Sequence, residues 1–91
     1  MKTKKQVLTD FGKLQKRFAD IRGFVQVDAY QAEADYWRVQ LRITKFDAKN
    51  EIVWAEQVEW ESYNTDDRNE AKVTQFVELI ESKENGTDND D

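Results

Sequence analysis

Residues 36–46, YWRVQLRITKF, change character at every step. Trp37, Val39, Leu41 and Ile43 line one surface; Tyr36, Arg38, Gln40, Arg42, Thr44 and Phe46 line the other. A period of two belongs to a strand with one covered and one open face, whereas helical apolar positions recur every three or four residues. Such a strand needs partners for its backbone groups and a layer against its Trp37 side. Two further strand-like runs, FVQVDAY (24–30) and EIVWAEQVEWES (51–62), supply the partners. No proline interrupts them, and the connections are short enough for an antiparallel meander.

Cross-strand pairing predicts the registers. A turn centred on Ala48 and Lys49 pairs Trp37 with Trp60, Val39 with Val58 and Ile43 with Trp54, and sets Arg38 opposite Glu59. For the first two strands, the matching register pairs Val27 with Val39, Val25 with Leu41 and Tyr30 with Tyr36, and places Asp28 beside Arg38.

The covering layer comes from the two ends. Val7, Phe11, Leu14, Phe18 and Ile21 form one helical stripe, which predicts a helix from Thr3 or Lys4 to Arg22, capped by Thr3 and stopped at Gly23. Gly12 inside it marks either close packing or a tolerated defect. After Tyr63, Val73, Phe76, Val77 and Ile80 make a second stripe. Asp67 and Glu70 suggest a capping box at its start, and Lys83 and Gly86 mark its end. The expected fold is α+β in the order α-β-β-β-α: a three-stranded antiparallel meander with two helices packed on one face. It spans residues 1–83 as a single domain, followed by an acidic tail, ENGTDNDD (84–91), that carries nothing apolar and is expected to be disordered.

Charge is divided unevenly. Residues 1–49 carry 11 Lys and Arg against 6 Asp and Glu, and residues 50–91 carry 3 against 13. The chain lacks histidine and cysteine, which removes the common nucleophile–base pairs, disulfides and thiolate metal sites. No P-loop, GxSxG or GxGxxG pattern is present, so a non-enzymatic protein without cofactor or metal is expected. The sequence also has no apolar run long enough to span a bilayer, and a soluble, cytoplasmic protein is expected.

Two acidic features bear weighing. Glu56 falls on the helix-facing side of the third strand, opposite Leu41. It is either a carboxylate whose pKa burial raises, usable as a general acid or base, or an inward edge charge that escapes around a helix, meets a lysine or arginine, or is turned outward by a local bulge. Glu56, Glu59 and Glu61 suggest a hard-metal cluster, but alternation puts Glu56 on the face opposite the other two.

Lys5, Lys13, Lys16 and Arg17 give the first helix a basic face, the footprint from which nucleic-acid binding starts. The element order also resembles that of the double-stranded RNA-binding domain. That resemblance implies a phosphate-gripping lysine cluster at the start of the last helix, where this chain has NTDDRNEAK. The open sheet face is the stronger candidate. Tyr30, Tyr36, Arg38, Gln40, Arg42, Phe46 and Glu59 make a mixture of aromatics, amides and paired charges typical of protein recognition surfaces. The expected function is a small protein-interaction module of adaptor or inhibitor type, in the style of phage or mobile-element proteins. It would dock a partner protein or a second copy (a homodimer) through the open face or a strand edge; nucleic-acid binding through helix 1 is the alternative.

Overall fold

The computed structural model describes residues 1–87. Helix α1 spans Lys4–Arg17, strands β1, β2 and β3 span Gly23–Glu33, Tyr36–Phe46 and Ile52–Glu61, and helix α2 spans Asp66–Thr87. The sheet is antiparallel with β2 in the centre, flanked by β1 and β3. Both helices pack on the Trp37 side. Phe11 from α1 and Phe76 and Ile80 from α2 close over Val39, Leu41 and Ile43, and the other sheet face is left open. Leu41, Ile43 and Val39 are wholly buried, each worth about 1.5–3 kcal/mol of transfer free energy. The α-β-β-β-α order and the assignment of sheet faces are as the alternation requires.

Both registers differ from expectation by two residues. Val39 pairs with Trp60 and Leu41 with Val58; on the other side Val27 pairs with Leu41 and Tyr30 with Arg38. Trp54 therefore lies opposite Lys45 instead of Ile43, and Ile43 faces Glu56. A two-residue slip keeps every side chain on its own face, so alternation alone does not select between these registers. The turns decide. β1 and β2 close through Ala34 and Asp35 alone, with a bulge between Gln31 and Glu33. Between β2 and β3, Asp47 Oδ1 accepts from the N–H groups of Lys49 and Glu51 at 2.8 and 3.0 Å. Asn50 takes the left-handed conformation there, at φ 64°.

Helix α1 starts as expected. Thr3 is the N-cap, and its side chain and that of Gln6 form a reciprocal capping box. Its end differs: the helix stops at Arg17, Phe18 caps it, and a tighter turn from Ile21 N–H to Phe18 O at 3.1 Å keeps both apolar side chains in the core. The chain must leave the helix early because Arg22 O already accepts the Phe46 N–H at 2.8 Å. Gly23 is thus not a helix stop but the first residue of β1. In α2 the N-cap is Thr65, whose Oγ1 accepts from Arg68 N–H at 3.2 Å, and not the expected Asp67–Glu70 box. Asp66 and Asp67 occupy the first turn, where the helix dipole favours them. Helix α2 continues past Lys83 through residues 84–87, and Glu84 pairs with Lys45 at 2.7 Å; residues 88–91 of the expected tail lie outside the described residues. Among the described residues no helix is long and apolar enough to cross a membrane.

Candidate functional site

The open face carries two distinct ends. At one, β1 and β2 bring Tyr30 and Arg38 together as direct cross-strand partners, with the guanidinium carbon 5.0 Å from the ring centre. Arg38 also reaches diagonally across β2 to β3, where its Nη1 lies 3.5 Å from Glu59 Oε2. Tyr36 sits edge-on to Tyr30 at 6.4 Å and stacks on Tyr63 at 5.7 Å with the rings 10° apart. The Tyr63 phenol donates to Glu61, and this bond, with burial and the Glu61 charge, pushes its pKa up to about 12. Glu61 is held in turn by Asn64 Nδ2 at 3.0 Å and by Lys72 of α2 at 3.9 Å.

These contacts restrain side chains that would otherwise be free on an exposed surface. Between Asp28, Tyr30, Arg38, Gln40 and Glu59 lies a depression of about 130 Å³. Pockets for small molecules and cofactors span roughly 300–1,000 Å³, so this one has the size of a single docking side chain.

At the other end, Phe24 meets Phe46 edge-on at 5.4 Å. The bulge after Lys45 puts Ile52 opposite Phe46, and Phe24, Ile52 and Val53 are 58%, 63% and 46% exposed. Gln40 and Arg42 occupy the stretch between the two ends, Arg42 exposed between its cross-strand partners Gln26 and Gln57.

The structure therefore gathers Tyr30, Tyr36, Arg38, Gln40 and Glu59 into one cluster, separates Phe46 into the apolar corner, and leaves Arg42 midway. Sequence reasoning missed Tyr63 and Ile52. The first lies beyond the last strand, and the second reaches the open side only through the bulge.

The remaining candidates are dispersed. Glu56 is one-third exposed and meets Lys83 of α2 at 3.4 Å, the inward edge charge with a lysine partner. Glu59 and Glu61 are engaged on the opposite face, so the three carboxylates do not converge. On α1, Lys5, Lys13 and Lys16 are exposed, whereas Arg17 turns to α2 and pairs with Glu81. Lys2, beside them in sequence, is held by Asp10 at 2.7 Å and Glu70 at 3.2 Å, which raises its pKa. Comparison with protein-family models, with curated proteins and with solved structures finds no match.

Proposed function

We propose that the protein is a non-enzymatic interaction module whose open sheet face docks a partner protein. The observation that carries this reading is the connected set Tyr30–Arg38–Glu59, extended by Tyr36 and Tyr63, on a face that no element of the described residues covers. Aromatic and arginine side chains dominate the binding energy of protein interfaces, and anchors already restrained by neighbours lose less entropy on docking. The lack of histidine and cysteine supports binding over catalysis, and the depression beside Arg38 is sized for one docking side chain. A cysteine-free chain also suits the reducing cytoplasm, where we place its action.

Affinity capture from the source cell, with wild-type and Arg38→Ala baits compared, tests the reading. Arg38 and Tyr36 lie outside the core, so both variants are expected to fold, and a protein retained by the wild type is expected to be lost from Arg38→Ala and Tyr36→Ala. Capture unchanged by either substitution overturns the assignment. The exposed trio Lys5, Lys13 and Lys16 favours a second reading, nucleic-acid binding by α1. Its signature is affinity that falls steeply as salt rises, in contrast to the weaker salt dependence of a docked sheet face.

A further inference from the structure

The two edges of the sheet are treated differently. Ser62 N–H donates to Trp37 O at 3.0 Å and Phe46 N–H to Arg22 O at 2.8 Å, so odd-numbered residues of β2 bond to β3 and even-numbered ones to β1. It follows that Val25, Val27 and Ala29, the β1 partners of odd-numbered residues, turn their backbone groups out of the sheet, as do the odd-numbered residues of β3. On β3 that edge is guarded. Asn69 of α2 pairs with both outward groups of Glu61, and a bulge and the inward Glu56 disturb the rest. On β1 the guards are fewer: Gln15 Nε2 of α1 donates to Val25 O at 2.8 Å, and the bulge between Gln31 and Glu33 lies beyond the stretch 24–30. β1 holds no lysine and no proline.

We propose that β1 pairs antiparallel with β1 of a second copy about a two-fold axis at Val27, joining two three-stranded sheets into a six-stranded one. In this register Val27 faces Val27 and Val25 faces Ala29 on the helix side, while Phe24 faces Tyr30 and Gln26 faces Asp28 on the open side. Aromatic meets aromatic, and amide meets carboxylate. Moving the axis to Asp28 sets two carboxylates against each other, and moving it to Gln26 sets Phe24 against Asp28. The amide of Ala29 from the second copy takes the place of Gln15 at Val25 O.

Helix α1 supplies an independent observation. Its Arg17 and Asp10 face α2, through Glu81 and through the Lys2 bridge to Glu70. Its Lys4 and Gln15 face β1, through Gln31 and Val25. Interpolating between those two contacts sets Gly12 level with Val27, and helical spacing turns Gly12 away from α2. A Cβ built on Gly12 meets nothing within 4 Å. Because α1 packs on both β1 and β2 and strands lie about 4.8 Å apart, the two-fold puts the α1 axes about 10 Å apart. That is the spacing at which helices pack, and it crosses them at Gly12. A glycine that the single chain has no packing reason to keep then lies in a contact.

This inference goes beyond the proposed function by assigning the strand edge to a second copy, and its test is separate from that of the open face. Sedimentation of the full chain is expected to give twice the chain mass. Val27→Pro, which removes an N–H that points out of the sheet, and Gly12→Leu are each expected to weaken dimerisation at least about tenfold without loss of the circular dichroism spectrum of the diluted protein. The chain has no cysteine of its own, so mild oxidation can read the register. Val27→Cys cross-links across the axis, where paired Cα atoms lie within disulfide reach, and Val25→Cys does so far more slowly.

A monomer at every soluble concentration, dimerisation indifferent to both Val27→Pro and Gly12→Leu, or faster cross-linking of Val25→Cys overturns the proposal. Arg38→Ala leaves the dimer mass unchanged, so loss of partner capture and loss of pairing are told apart.

Discussion

Asn69 completes the edge of β3 at Glu61: its Nδ2 donates to Glu61 O at 2.9 Å and its Oδ1 accepts the Glu61 N–H at 3.2 Å. One buried amide thus stands in for a missing neighbouring strand. Asn69→Leu keeps the branching of the side chain but leaves both backbone groups without a protein partner, and each such loss costs about 1–3 kcal/mol. The expected destabilisation is about 3 kcal/mol, measured as a lower urea midpoint at unchanged slope.

Gly23 opens β1 at φ +150°, and a Cβ on it would lie 1.9 Å from Thr44 O. The clash is with strand backbone, which a side-chain rotation cannot relieve. Gly23→Ala is expected to destabilise by about 3 kcal/mol, in the large-effect class of strained backbone sites. Gly12→Ala is the control: its Cβ enters open space, and removing a mid-helix glycine stabilises the isolated chain by about 0.5–1 kcal/mol. Thermal melts of the two variants at low protein concentration should move in opposite directions.

Alternation in β2 told which residues are covered, because a strand has only two faces and Trp37, Val39, Leu41 and Ile43 cannot share one with Arg38. It could not tell how far each neighbour slides by two, and the tight closure at Ala34–Asp35 and the Asp47–Asn50 turn made that choice. The Arg38–Glu59 ion pair forms despite the shifted register because arginine spans the diagonal that a shorter side chain would not. Asn69 was legible in retrospect: with Val73, Phe76 and Ile80 it keeps the 4-3-4 spacing of the buried stripe of α2. A polar residue at such a position signals a backbone group in need of a partner. Phe18 and Ile21 misled about the end of α1, since a spacing of three also suits the tighter turn they occupy.

Glu56 and Lys83 meet at 3.4 Å with about a third of each side chain exposed. Solvent screening at that exposure limits the pair to about 1 kcal/mol or less. Its other contribution is against association, since an inward charge spoils β3 as a template for stray strands. Glu56→Val is therefore expected to change unfolding free energy by less than about 1 kcal/mol yet to raise light scattering of concentrated samples. A variant that stays as soluble as the wild type would remove the protective role and leave Glu56 a surface ion pair.

Tyr63 keeps its proton to about pH 12 because its hydroxyl donates to the Glu61 carboxylate, and removing that proton would set two negative charges against each other. An unperturbed tyrosine titrates near 10. The folded state therefore holds this proton more tightly than the unfolded chain. The linked stability is fully present below pH 10 and is lost as pH rises through the folded value near 12. Phenolate absorbance should show one tyrosine titrating about two units above the ordinary value, and Glu61→Gln should bring it back down.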